Sequence, residues 1–254
     1  VGSEMCIRDR MIIELKNVGK VFPESHFQLE GISFAIEEGE IVGLIGSNGT
    51  GKSTILKMMN GLIPYDKGCV RYKERELNSL SASQLRHMRK DIAYIFQHHN
   101  LLPDETVFYH LSLVYKLNHQ KIDDRAIDDI LDFLGLTRVK QVKCHSLSGG
   151  QQQKVAIAMA ILQKPRLILC DEISSALDTN SEKEIFDLLA SLREKYGISI
   201  LMIAHHLSVL KQYCDRVMIL GGQTIAETVI PVKSRIDQLT TDYVTQVKEF
   251  LLHD

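Results

Sequence analysis

No stretch of this chain is apolar for long enough to cross a bilayer. The longest uninterrupted apolar run, Val155 to Leu162, falls far short of the roughly 20 residues a membrane-spanning helix needs. A role at a membrane is therefore open to it only as a peripheral subunit. Cysteine is scarce, at 5 in 254 residues. Cys69, Cys144, Cys170 and Cys214 are scattered without metal-ligand or disulfide-framework spacing, and Cys6 lies near the start. Reduced thiols follow, and Cys170, inside an apolar run, is expected in the core. An excess of one charge is missing too: 30 Lys and Arg against 32 Asp and Glu leave a net charge of −2. That gives no global basic field for gripping a phosphate backbone, so no nucleic-acid partner is expected. Internal repeats, low-complexity tracts and long linkers are absent. Residues 1–10 lack the basic-then-apolar layout of a secretory signal and precede a plausible initiator, Met11. The run Met5 to Arg10 resembles translated adapter sequence, so residues 1–10 are expected to be a non-native leader, followed by a single domain over 11–254.

Glycine, by contrast, is concentrated where it carries chemistry. Gly46-Ser47-Asn48-Gly49-Thr50-Gly51-Lys52-Ser53, followed by Thr54, fits a loop that wraps nucleotide phosphates. Its glycines let backbone N–H groups converge on phosphate oxygens, Lys52 reaches the β- and γ-phosphates, and the Ser53 hydroxyl suits Mg²⁺. Leu147-Ser148-Gly149-Gly150-Gln151 is a Ser-Gly-Gly turn opening a helix, whose N-terminus offers a second anion site. The apolar run Leu167 to Cys170 ends in Asp171-Glu172, which sets two carboxylates at the carboxyl edge of a sheet. Asp171 suits the Mg²⁺ shell, and Glu172 suits a general base that deprotonates water.

Periodicity supplies the frame for these motifs. Ile12–Lys16, Leu29–Ile36, Glu40–Ile45, Cys69–Tyr72, Ile92–Phe96, Leu167–Cys170, Ile198–Ile203 and Arg216–Leu220 read as strands. Ser53–Asn60, Ser81–Met88 and Gln151–Gln163 read as helices, and Thr179 with Glu182 has capping-box spacing for another helix carrying Ile185, Leu188, Leu189 and Leu192. Residues 98–146 turn mostly helical. Beyond the turn at Gly221-Gly222 there is room for a strand and one or two helices. The alternation predicts an α/β fold with a mainly parallel sheet, an antiparallel sheet beside it and the helical insert; with its phosphate loop the chain resembles a P-loop NTPase, which implies an antiparallel β subdomain and a helical subdomain over 97–148.

Taken together, the phosphate loop, Leu147 to Gln151 and Leu167 to Glu172, in this order and spacing, resemble the nucleotide-binding subunit of ATP-binding cassette transporters over Met11 to about Gln223. The resemblance implies roles for further residues. Phe22 matches the aromatic that stacks on adenine, and Gln97 the glutamine that senses Mg²⁺ and links to the transmembrane partner. Asp178 falls in the cross-dimer loop, and His205 matches the switch histidine near the γ-phosphate, with His206 adjoining it as the alternative. The pair His98-His99 is expected to face solvent. The resemblance also implies a homodimer that sandwiches ATP and Mg²⁺, with Ser148, Gly149, Gly150 and Gln151 of one chain completing the other's site. Permease subunits, a solute-binding protein acting through them and a peripheral place at the cytoplasmic face of the membrane complete the picture. Three positions depart from the family pattern: Ala204 stands where Thr often precedes the histidine, and Lys154 and Met159 replace arginines.

Ile95 to Leu102 and Leu169 to Glu172 are most similar to the methionine-uptake importers of bacteria. Such subunits commonly continue into a C-terminal methionine-binding domain, whereas this sequence stops at Asp254; either that domain is absent or the sequence is truncated, and feedback inhibition by methionine is not expected of the residues given. An importer of another amino acid or small solute, a lipoprotein-release or cell-division cassette, and a soluble cassette ATPase stand as alternatives. A nonenzymatic nucleotide-binding scaffold is disfavoured by the complete set Lys52, Asp171 and Glu172.

Overall fold

The computed structural model describes residues 10–25, 27–175, 177–231 and 251–252. The proposed leader therefore lies outside the described residues except for Arg10. So does most of the segment following the strand expected near Ile225.

Two sheets organise the described chain. The first is antiparallel, in the order β2-β1-β4-β5, from β1 (Met11–Phe22), β2 (Phe27–Glu37), β4 (Lys67–Tyr72) and β5 (Arg75–Glu76). The second has the order β10-β9-β3-β8-β7-β6, from β3 (Ile41–Gly46), β6 (Ile92–Ile95), β7 (Leu167–Cys170), β8 (Ser199–Ile203), β9 (Arg216–Gly221) and β10 (Thr224–Val229). All its pairings are parallel except the terminal β9–β10 hairpin. The parallel strands are apolar on both faces, as a sheet covered on both sides requires. Val42, Leu44, Leu169, Leu201 and Ile203 point into one core with the antiparallel sheet and α1 (Lys52–Met59). Ile41, Ile45, Ile168, Cys170, Ile200 and Met202 point into the other. That second core is closed by α5 (Gly149–Leu162), α6 (Thr179–Tyr196) and α7 (Leu207–Tyr213). Cys170 is fully buried, as expected.

The remaining helices are α2 (Ala82–Asp91), α3 (Val107–Leu117) and α4 (Asp124–Phe133). The latter two, with 3₁₀ turns around Thr137–Val139 and Cys144–Ser146, make up the mostly helical insert. Ser81 caps α2 in a capping box with Gln84.

Two expectations are corrected. β1 runs well past Lys16 because register shifts around Asn17, whose φ is +48°, bend the strand and break its alternation without ending its pairing. At α6 the cap is Asp178, not a Thr179–Glu182 box. Asp178 Oδ1 accepts from the Asn180 and Ser181 amides at 3.0 Å each, and Oδ2 accepts from Ser181 Oγ at 2.8 Å. An aspartate is a strong N-cap. Taking that position, it frees Glu182 to turn inward, where it accepts from Ser174 Oγ at 2.7 Å and meets His206 Nδ1 at 2.7 Å.

Candidate functional site

β3, β8 and β7 are neighbours, so their carboxyl ends bring three loops to one edge: 46–53 after β3, 171–175 after β7, and 204–206 after β8. In the first, Gly49 and Gly51 have φ of +78° and +98°, which glycine alone adopts without strain. Gly51 is also the N-cap of α1, with no side chain capping it, so the first-turn amides remain available to an anion. Thr50 Oγ1 braces the turn by donating to Ser47 O at 2.8 Å. Lys52 is buried and its ammonium donates to the carbonyls of Gly46 at 2.9 Å and Ser47 at 3.1 Å. Burial pulls its pKa down, against the upward pull of the Glu172 and Asp171 charges. An ammonium in this position can exchange those neutral carbonyls for charged phosphate oxygens, with which its hydrogen bonds are stronger.

The carboxylates lie opposite. Asp171 is buried, with Oδ1 accepting from Ser53 Oγ at 2.6 Å and Oδ2 from Tyr94 Oη at 2.6 Å. Glu172 has a φ of +53°, an unfavourable backbone for a non-glycine residue and a kind of strain that clusters at functional sites. Its carboxylate gathers three groups: Lys52 Nζ at 3.9 Å, His205 Nε2 at 3.1 Å and Gln97 Nε2 at 3.2 Å. Gln97 also donates to Ser175 Oγ at 3.3 Å. A cavity of about 260 Å³ opens here, lined by Phe27, Asn48, Gly49, Gly51, Lys52, Ser53, Thr54 and Glu172.

Six residues singled out from the sequence thus converge: Lys52, Ser53, Asp171, Glu172, Gln97 and His205. Of the two histidines, His205 faces Glu172 and His206 pairs with Glu182. Phe22 does not line the cavity; its ring sits 6.0 Å from that of Phe27, which does. Phe27 was not legible from spacing, because its packing over Gly51, where an added Cβ would come within 2.7 Å of the ring, depends on how β1 and β2 fold back. Tyr94 and Ser175 were not legible either, because their contacts with Asp171 and Gln97 arise only where β6 and β7 pair. Their signal is tertiary.

Ser148, Gly149, Gly150, Gln151 and Asp178 stand apart from this cavity and meet one another instead. Ser148 and Gln151 form a capping box on α5, and a Cβ on Gly149 or Gly150 would touch Leu177 or Ser181 beside the Asp178 cap. Within one chain, therefore, two potential phosphate sites are separate. His98 is exposed, but His99 turns inward against the Gly149 backbone, contrary to the solvent-facing expectation; burial pulls its pKa down. Lys154 pairs with Glu184 at 2.8 Å, tying α5 to α6 where the family pattern has arginine.

The arrangement has clear relatives. The ABC transporter family model matches residues 29–175. The methionine import ATP-binding protein MetN of Clostridioides difficile strain 630 is 40% identical over 219 residues, 85% of this chain and 68% of its own length. Among solved structures, a dimeric post-hydrolysis state of the ATP-binding cassette MJ0796, bound to ADP and Pi, superposes with a TM-score of 0.76 at 30% identity, over 86% of this chain and 98% of that one. The fold alone is shared with cbiO1 of Clostridium perfringens, at a TM-score of 0.78, 24% identity and coverage of 86% and 88%. By its loops, its sheet order and these matches, the chain belongs to the ABC transporter family.

Proposed function

We propose that this chain is the ATP-hydrolysing subunit of a methionine importer, working as a homodimer with ATP held between its copies. Transport of another amino acid or small solute is the second reading, because solute contacts belong to the permease. On this reading residues 11–254 form one cassette with a helical subdomain over 97–148, seated peripherally on permease subunits at the cytoplasmic face of the membrane. In the described residues no helix is long and apolar enough to cross a membrane. The MetN name of the relatives supports methionine as the solute.

The chemistry follows from the groups around Glu172. As the triphosphate enters, Lys52 exchanges the Gly46 and Ser47 carbonyls for phosphate oxygens, joined by amides of the loop and of the first turn of α1. Ser53 and Asp171 would hold Mg²⁺: their oxygens lie 2.6 Å apart beside the phosphate loop, and such hard oxygen donors suit that ion. When bound, Mg²⁺ neutralises charge on the β- and γ-phosphates. Glu172 accepts a proton from a water as that water's oxygen bonds to the γ-phosphorus; the bond from that phosphorus to the β–γ bridging oxygen breaks, and ADP leaves with the electron pair. His205 and Gln97 orient Glu172, and His205 is placed to meet the γ-phosphate. Phe22 is assigned to the adenine, with Phe27 beside it. Ser148, Gly149, Gly150 and Gln151 complete the site of the second copy, and Asp178 lies at the same seam.

The observation that carries this reading is the gathering of Lys52, Gln97 and His205 on Glu172 at the mouth of the glycine loop. Steady-state phosphate release tests it. The wild type should hydrolyse ATP, Lys52→Ala should lose it, and Glu172→Gln should fall about 10²- to 10⁴-fold, the contribution of a general base, or roughly 3 to 5 kcal/mol of barrier. Labelled methionine uptake by cells carrying this chain and its permease should depend on the same residues. Unaltered hydrolysis in Glu172→Gln would contradict the assignment.

A further inference from the structure

Asp171 is held by more than the phosphate loop. Each of its carboxylate oxygens accepts one short O–H bond, from Ser53 on Oδ1 and from Tyr94 on Oδ2, both at 2.6 Å. Its amide is fixed as well, donating to Ile95 O at 2.9 Å across the β6–β7 pairing. An ionised carboxylate only accepts, so both hydroxyls must donate. The Ser53 proton therefore points at Asp171, which leaves the Ser53 lone pairs for an ion. Nothing in the functional reading above uses Tyr94.

We propose that Tyr94 is a positioning residue for divalent-cation binding: by occupying Oδ2 it stops the Asp171 carboxylate from rotating and keeps Oδ1 on Ser53 and the ion. The proposal rests on the Mg-nucleotide reading of this site. Toward an ionised carboxylate the Tyr94 hydroxyl can only donate, and at 2.6 Å it does so to Oδ2. The ring is itself fixed by Phe96, whose centroid lies 4.4 Å away. Partners of this type, which orient a metal-binding carboxylate without touching the metal, typically cost about 10- to 100-fold in metal affinity or activity when removed.

Tyr94→Phe keeps the ring and its packing and deletes one hydroxyl. Mn²⁺ binding in the presence of ADP, followed by electron paramagnetic resonance, should weaken about tenfold. The Mg²⁺ concentration for half-maximal hydrolysis should rise to match, while kcat at saturating Mg²⁺ and ADP affinity in EDTA change far less. Tyr94→Leu loses the same hydroxyl without the ring, and a matching shift in both variants ties the effect to the hydrogen bond. Unchanged Mn²⁺ affinity and Mg²⁺ dependence in folded Tyr94→Phe overturn the proposal while leaving the functional reading intact. A wild type that binds no nucleotide overturns both.

Discussion

Gly46 has no room for a methyl group. A Cβ there would lie 2.7 Å from the Leu220 carbonyl and 2.9 Å from Thr50 Oγ1, so β9 on one side and the loop itself on the other define the opening of the phosphate loop. Gly46→Ala should therefore destabilise the chain by about 1 to 3 kcal/mol, the usual cost of overpacking, measurable in chemical denaturation. The displaced loop should weaken fluorescent ATP binding by more than about tenfold, or 1.4 kcal/mol. Wild-type stability and affinity in that variant would show that the loop opening is not set by β9. Lys52, Ser53, Asp171 and Glu172 are legible because each sits at a fixed offset from a glycine or a strand end. Phe27 and Tyr94 meet the site only through contacts remote in sequence, with Gly51 and with Asp171, and the strained φ of Glu172 leaves no trace in residue type.

Elements obey the same division. The strands of the parallel sheet are legible because burial on both faces demands continuous apolar runs, and α5 is legible because Ser148 and Gln151 have the capping-box spacing. β1 is longer than its alternation implies, since a bulge at Asn17 preserves pairing while breaking period. Helix α6 begins under Asp178 because an acceptor-only side chain can take two amides at once. That cap has a pH signature. Hydrogen bonds from the Ser181 amide and hydroxyl hold the Asp178 carboxyl below its ordinary value of 3.8. With the folded pKa depressed, the stabilisation is complete above 3.8 and is lost as pH falls through the lower folded value. Asp178→Asn keeps a capping oxygen but removes the titration. Thermal unfolding should find the wild type ahead at pH 7 and the gap closing under acid; a gap independent of pH would contradict the cap.

Across the whole molecule, the two candidate anion sites lie at one edge of the sheet and at the start of α5, and among the described residues the start of α5 does not line the cavity at the phosphate loop. Two copies placed head to tail reconcile them: the α5 N-terminus of one copy would close over the phosphate loop of the other, and ATP would bridge both. On the proposed reading, binding energy would appear as dimerisation and loss of the γ-phosphate would release it, giving the permease a motion to follow. Dimerisation would thus depend on ATP. Glu172→Gln, which keeps every proposed phosphate contact and loses the proposed base, isolates that dependence. Size-exclusion chromatography with light scattering, run with and without Mg-ATP, is the most direct measurement. A monomer without nucleotide and a stable dimer with ATP, reverting on exchange for ADP, are expected; a monomer at saturating ATP, in a variant verified to bind it, would mean that ATP is not held between two copies.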